Sequence, residues 1–265
     1  MSIKILGGHS QCREISISSV EFVSTAKCDE NGKITCQVKS YPPVIAFLRR
    51  HRRWPIPGLI RLMIVIGSQF NGKQRWLYFT TPISMLIIAW TQRFLFPANL
   101  KISQVVSPWQ LWVDSLILVV ILIALLGRKK ESFTTWHGAE HMVIGAYDRY
   151  GSTELEIIAK QDRFHPKCGG RLLLPFVIVF VVGLSLSTRA QANLFFGTLL
   201  FWEVVLVELV LLVDRLIGWD KIPITAQASW LLQRYVTTRQ PGELELRTAQ
   251  TALIELLRTP HKYLG

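Results

Sequence analysis

Apolar runs of nearly bilayer-spanning length constrain this chain more than any other feature. Segments 77–96, 108–127, 172–187 and 194–217 are each apolar over most of their length, and a helix needs roughly 20 such residues to cross a hydrocarbon core. A shorter run, 56–70, carries Arg61 and reads as an interfacial or buried helix. Only STRAQAN separates the last two runs, which predicts an antiparallel helical hairpin. The expected fold is an all-α multi-spanning membrane protein with about four transmembrane helices, a small N-terminal β-hairpin region and cytoplasmic helices.

Charge supports a membrane setting. The mean hydropathy is +0.30, yet the formal net charge is +12 over 265 residues. That combination points to a bilayer with anionic headgroups as partner. Nucleic acid is not expected, because no recognition-fold pattern accompanies the charge. The cluster 47-FLRRHRRW-54 places Arg49, Arg50, Arg52 and Arg53 where they could hold the anionic leaflet. Basic residues concentrate before the first run, after the second and after the fourth. The positive-inside rule then puts both termini and segment 128–171 in the cytoplasm of a bacterial inner or other internal membrane. Four cysteines, at 12, 28, 36 and 168, form no CxxC pair, and the first residues lack a signal-peptide apolar core. Three regions are expected: 1–54, with a hairpin around Asn31-Gly32 and a basic juxtamembrane stretch; 55–218, the membrane domain; and 219–265, cytoplasmic helices.

Between the second and third runs lies 134-TTWHGAEHMVIGAYD-148. On a helix, residues advance about 100° each, so His137, Glu140 and His141 share one face within about 100° of arc. Two imidazoles four residues apart can hold one divalent ion with a carboxylate beside them. H-x-x-E-H is also the spacing of inverzincin proteases, in which the glutamate acts as base. Asp148 returns to the same face, as an outer ligand or as the carboxylate that orients an imidazole. Thr134 or Thr135 could cap the helix and Gly151 could end it. A Pro/Gly-rich turn, 163-RFHPKCGG-170, offers His165 and Cys168. Two helix histidines with both turn residues would make a closed tetrahedral set; with one of them, the ion keeps an open position. Zinc or another divalent transition metal suits such ligands.

WHGAEHM…HPKCG resembles the YHGAEHK…HPRCG hallmark of the YqhQ-like family, bacterial membrane proteins labelled predicted metal-dependent enzymes. The similarity extends to 226-AQASWLLQRYVTTRQPGELELRTAQTAL-253 and, in outline, to Gly7-Gly8 and the Asn31-Gly32 hairpin. The resemblance implies a membrane fold and a metal, and no substrate. The chain departs from it at GGHSQCREISISS, where the family opening resembles GGQAVIEGVMMRG. It departs again at Met142 and at CGGRL, where the family has a lysine and CGTSF.

Three functions follow from these features. The first is a zinc-dependent, peptidase-like membrane hydrolase with Glu140 as base. The second is a non-catalytic assembly or scaffold factor with a structural metal and a membrane protein partner. The third is an ion transporter using Glu203 and Asp214, carboxylates set within the fourth apolar run.

Overall fold

Alternation of apolar and polar residues near the N-terminus folds into an antiparallel meander: β1 (Gly7–Gln11), β2 (Glu14–Ser18), β3 (Phe22–Cys28) and β4 (Ile34–Ser40), in that spatial order. The computed structural model describes residues 4–51, 133–166, 168–187 and 194–263, with isolated positions at 58, 60, 87, 91 and 113. The helices with ranges among the described residues are α1 (Pro43–Arg50), α2 (Phe133–Tyr150), α3 (Leu155–Ala159), α4 (Leu173–Ser187), α5 (Phe195–Leu216), α6 (Pro223–Leu232) and α7 (Glu243–Tyr263). A 3-10 turn, Gly169–Leu172, leads into α4, and a π-helical turn, Gln233–Thr237, follows α6.

The chain divides into two units, 1–52 with 123–171 and 223–265, and 53–122 with 172–222. In the first, the register sets Ile15 beside Ala26 and Ala26 beside Cys36, and Ile17 beside Ser24. Because strand side chains alternate between faces, this row forms one apolar face. Ile15, Ile17 and Ala26 on it are fully buried. α7 covers that face with Leu246, Ala249, Leu253 and Leu256, spaced as one helical stripe. α2 packs against α7 and β1, contributing Ala139, Met142, Val143 and Ala146. Burying a side chain such as Leu253 or Ile17 is worth about 1.5–3 kcal/mol.

The Asn31-Gly32 hairpin forms as the sequence predicts. Asp29 Oδ1 accepts from the amides of Asn31 (2.9 Å) and Lys33 (2.8 Å), and Gly32 takes φ +79°, an angle that costs glycine little. α2 ends at Gly151 (φ +62°), whose amide donates to Tyr147 O at 2.9 Å. Thr134 and Thr135 lie inside α2 and do not cap it.

The expectation of an all-α multi-spanning membrane protein is overturned. Four of the first elements are strands, and their sheet carries the core on which α2 and α7 pack. Among the described residues, one helical stretch, Gly169–Ser187, is long and apolar enough to cross a membrane. Run length misled because an apolar segment can be a span or a helix of a packed hairpin, and length alone does not separate them. The runs 77–96 and 108–127 lie outside the described residues, apart from single positions.

In the second unit, α4 and α5 pack side by side. Glu203 of α5 fits against Gly183 of α4, where a Cβ would lie 2.5 Å from its Oε1, and that oxygen has no hydrogen-bond partner among the described residues. Glu208 Oε1 accepts from the Gly58 amide at 2.6 Å. Asp214 Oδ1 accepts from the Trp219 amide at 3.5 Å, near the end of α5.

Candidate metal centre

α2 is buried almost all round through its middle, so the polar face carrying its histidines must find partners inside the protein. His137 Nδ1 donates to Thr237 O at 3.1 Å and His141 Nδ1 donates to Arg163 O at 2.6 Å. Each carbonyl fixes its ring in the tautomer that leaves Nε2 free to coordinate, the arrangement usual for metal-binding histidines. The two rings lie 4.3 Å apart, centroid to centroid.

Cys168 enters from the turn before α4. Its Sγ lies 3.5 Å from His137 Nε2 and accepts from the Gly170 amide at 3.4 Å. One donor atom each from His137, His141 and Cys168 lies within 4.8 Å of the others, a group that could hold a metal ion. Burial lowers the pKa of His137 and holds that of His141 down to about 3, so both imidazoles are neutral. Burial pushes the Cys168 thiol up to about 11.

The other predicted residues fall around this group. His165 is buried, with its ring centroid 5.7 Å from that of His141. Its Nε2 lies 3.7 Å from Asp148 Oδ2, and its amide donates to Gln233 Oε1 at 3.0 Å. Glu140 is buried against β1: Ser10 hydrogen-bonds its carboxylate, and a Cβ at Gly8 would lie 2.5 Å from its Oε1. Its Oε2 is buried with no partner among the described residues. Burial raises its pKa to about 8. The charge of Glu140 also acts on Cys168.

Gly138 lets the chain close around the site. A Cβ there would lie 2.3 Å from Arg239 O, and the Arg239 amide donates to Thr134 O at 2.9 Å. That contact lays 237–239 along α2 and brings the Thr237 carbonyl to His137. Thr237, Arg163, Gln233, Gly8 and Ser10 were not foreseen from sequence; of these, only Gly8 carried a signal, a glycine within a β-prone run.

The basic residues nearest the first unit face the sheet. Arg49 donates to Ser18 Oγ at 3.1 Å and lies over the Tyr41 ring, and Arg50 pairs with Glu21. Arg52 and Arg53 lie outside the described residues.

No curated protein and no solved structure matches the chain. Residues 56–259 match the model of a family described as "Protein of unknown function (DUF1385)". The matched span holds His137, His141 and Cys168, while the strand that covers Glu140 precedes it. With most of its length in that match, the chain belongs to this family, DUF1385.

Proposed function

We propose that the protein is a membrane-anchored metal-dependent hydrolase in which His137, His141 and Cys168 hold a zinc ion and Glu140 is the base. One observation carries this reading: a fully buried carboxylate oxygen, Glu140 Oε2, lacks a partner among the described residues, one turn along α2 from His137. A buried carboxylate oxygen left without a partner is costly unless a ligand completes it. The donor set fits zinc, which takes imidazole nitrogens and thiolate sulfur as ligands and keeps a fourth position open when three protein groups hold it. Zinc so held supplies a Lewis acid.

The chain's own residues do the rest. Thr237 and Arg163 carbonyls aim the imidazoles, and the Gly170 amide steadies the thiolate. β1 shuts bulk water away from Glu140. Without a cation, Glu140 is mostly protonated near pH 7; a cation beside it favours the ionised form that can accept a proton. The apolar stretch Gly169–Ser187, which starts directly after Cys168, is read as the membrane anchor.

A second reading, a structural metal closed by a fourth protein ligand, draws support from His165, whose buried ring lies 5.7 Å from that of His141, centroid to centroid. The test uses 4-nitrophenyl acetate as a general activated ester. Zinc-loaded protein should hydrolyse it in a chelator-sensitive way, and Glu140→Gln should keep the metal and lose the activity. Wild-type rates in Glu140→Gln would remove Glu140 as base. Activity absent from fully loaded wild type, together with lost zinc in His165→Ala, would establish the structural role instead.

A further inference from the structure

We infer that a recess between the 162–164 turn and the end of α6 binds a phosphate group. The recess is a cavity of about 130 Å³ lined by Asp162, Arg163, Phe164, Trp230 and Arg234. That volume is roughly four waters' worth, room for a tetrahedral oxyanion and the start of a substituent.

Its walls are pinned together. The His165 amide donates to Gln233 Oε1 at 3.0 Å, and Gln233 Nε2 donates to Ser229 Oγ at 3.0 Å. Gln233 is buried, so the turn and the helix end hold a fixed separation. Asp162 Oδ1 accepts from the Phe164 amide at 3.1 Å, which shapes the turn. Arg163 NH1 donates to Thr238 O at 3.4 Å. The Arg234 guanidinium lies over the Trp230 ring, 4.9 Å from its centroid, a cation–π contact that restrains a side chain otherwise open to solvent. Arg234 belongs to the π-helical turn Gln233–Thr237, and such turns occur often at functional sites.

The chemistry selects the ligand. Among the described lining residues, two guanidiniums and one carboxylate leave one net positive charge. The guanidiniums come from different elements, so they approach an anion from different sides. One planar fork satisfies a carboxylate; two forks suit the several diverging oxygens of a phosphate. The phosphate could be free in solution or part of a phospholipid headgroup. The inference does not depend on the metal centre or on hydrolysis.

Phenylglyoxal labelling of arginines in the full-length protein, read by peptide mass spectrometry, tests it. Millimolar inorganic phosphate or phosphatidylglycerol vesicles should slow labelling of Arg234 about tenfold, while Arg258, on α7 and largely exposed, labels at an unchanged rate. Protection by phosphate alone identifies a soluble source, by vesicles alone a lipid source, and by both the shared group. Asp162→Asn should lower the phosphate concentration needed for protection, and Arg163→Gln should raise it. Absence of protection by either probe overturns the site. So does equal protection by chloride at matched ionic strength, which would show screening only.

Discussion

The carboxylate of Glu140 fills the space that a side chain at position 8 would need: a Cβ on Gly8 would lie 2.5 Å from Oε1, 2.7 Å from Cδ and 2.8 Å from Cγ. The strand and the helix therefore fit only because residue 8 has no side chain. Glu140 is enclosed and cannot swing into solvent. Gly8→Ala should cost about 1–3 kcal/mol through overpacking. In a Glu140→Ala background the same change should cost little, and chemical denaturation of the four proteins gives the coupling. An equal cost with and without Glu140 would place the clash elsewhere.

Two glycines of α2 should behave oppositely. Gly138→Ala would set a Cβ 2.3 Å from the Arg239 carbonyl, a backbone atom that cannot step aside alone. Segment 237–239 must shift, and His137 loses the carbonyl that orients it. Loss of such an orienting partner typically weakens metal binding about 10–100-fold. Gly145 has nothing among the described residues within 4 Å of its would-be Cβ. Gly145→Ala should leave affinity unchanged and add up to about 1 kcal/mol of stability. Chelator competition on both variants checks the contrast.

The sequence made the centre legible where the signal was local. The spacing of His137, Glu140 and His141 puts them on one helix face, and the Pro/Gly turn marked Cys168. It was silent on Thr237 and Arg163, because both act through backbone carbonyls, which no residue type advertises. His165 is a ligand candidate by its place in the turn; its Nε2 lies 3.7 Å from Asp148 Oδ2, a side-chain contact that spacing does not specify. The fold divides in the same way. The Asn31-Gly32 hairpin is a local signal, and it forms where that signal lies. That the sheet buries its apolar face under α7, some two hundred residues later, depends on pairing that no local window contains. The four-span expectation failed for the same reason, since it took apolar length as sufficient.

Placing the apolar helix in a bilayer has a direct consequence for Ile178. This residue lies near the middle of α4 and is half exposed. Ile178→Arg should disfavour insertion by about 2.5–3.5 kcal/mol and move protein out of the alkali-resistant membrane fraction. Ile178→Leu should not. Ile224→Arg, at an exposed apolar position on α6, serves as the control outside the helix. Membrane retention of Ile178→Arg equal to wild type would count against α4 as the anchor.

Metal binding should release protons, and the number identifies their source. His141 is held down to about 3 and His137 is also lowered, so neither carries a proton that a metal must displace near pH 7. The Cys168 thiol sits at about 11, so at pH 7 it is protonated, and a metal must expel that proton to gain the thiolate. Affinity should therefore rise with pH, by about tenfold per unit for one proton, and level off above about pH 11. Glu140, at about 8, adds a second, fractional release when a cation beside it favours ionisation. Calorimetric zinc titrations at pH 7, in buffers of different ionisation enthalpy, should give between about one and two protons for wild type and about one for Glu140→Gln. Cys168→Ser should lose the thiol's share. A wild-type count near zero would mean that the thiol does not ligate, and the centre would then rest on the two imidazoles alone.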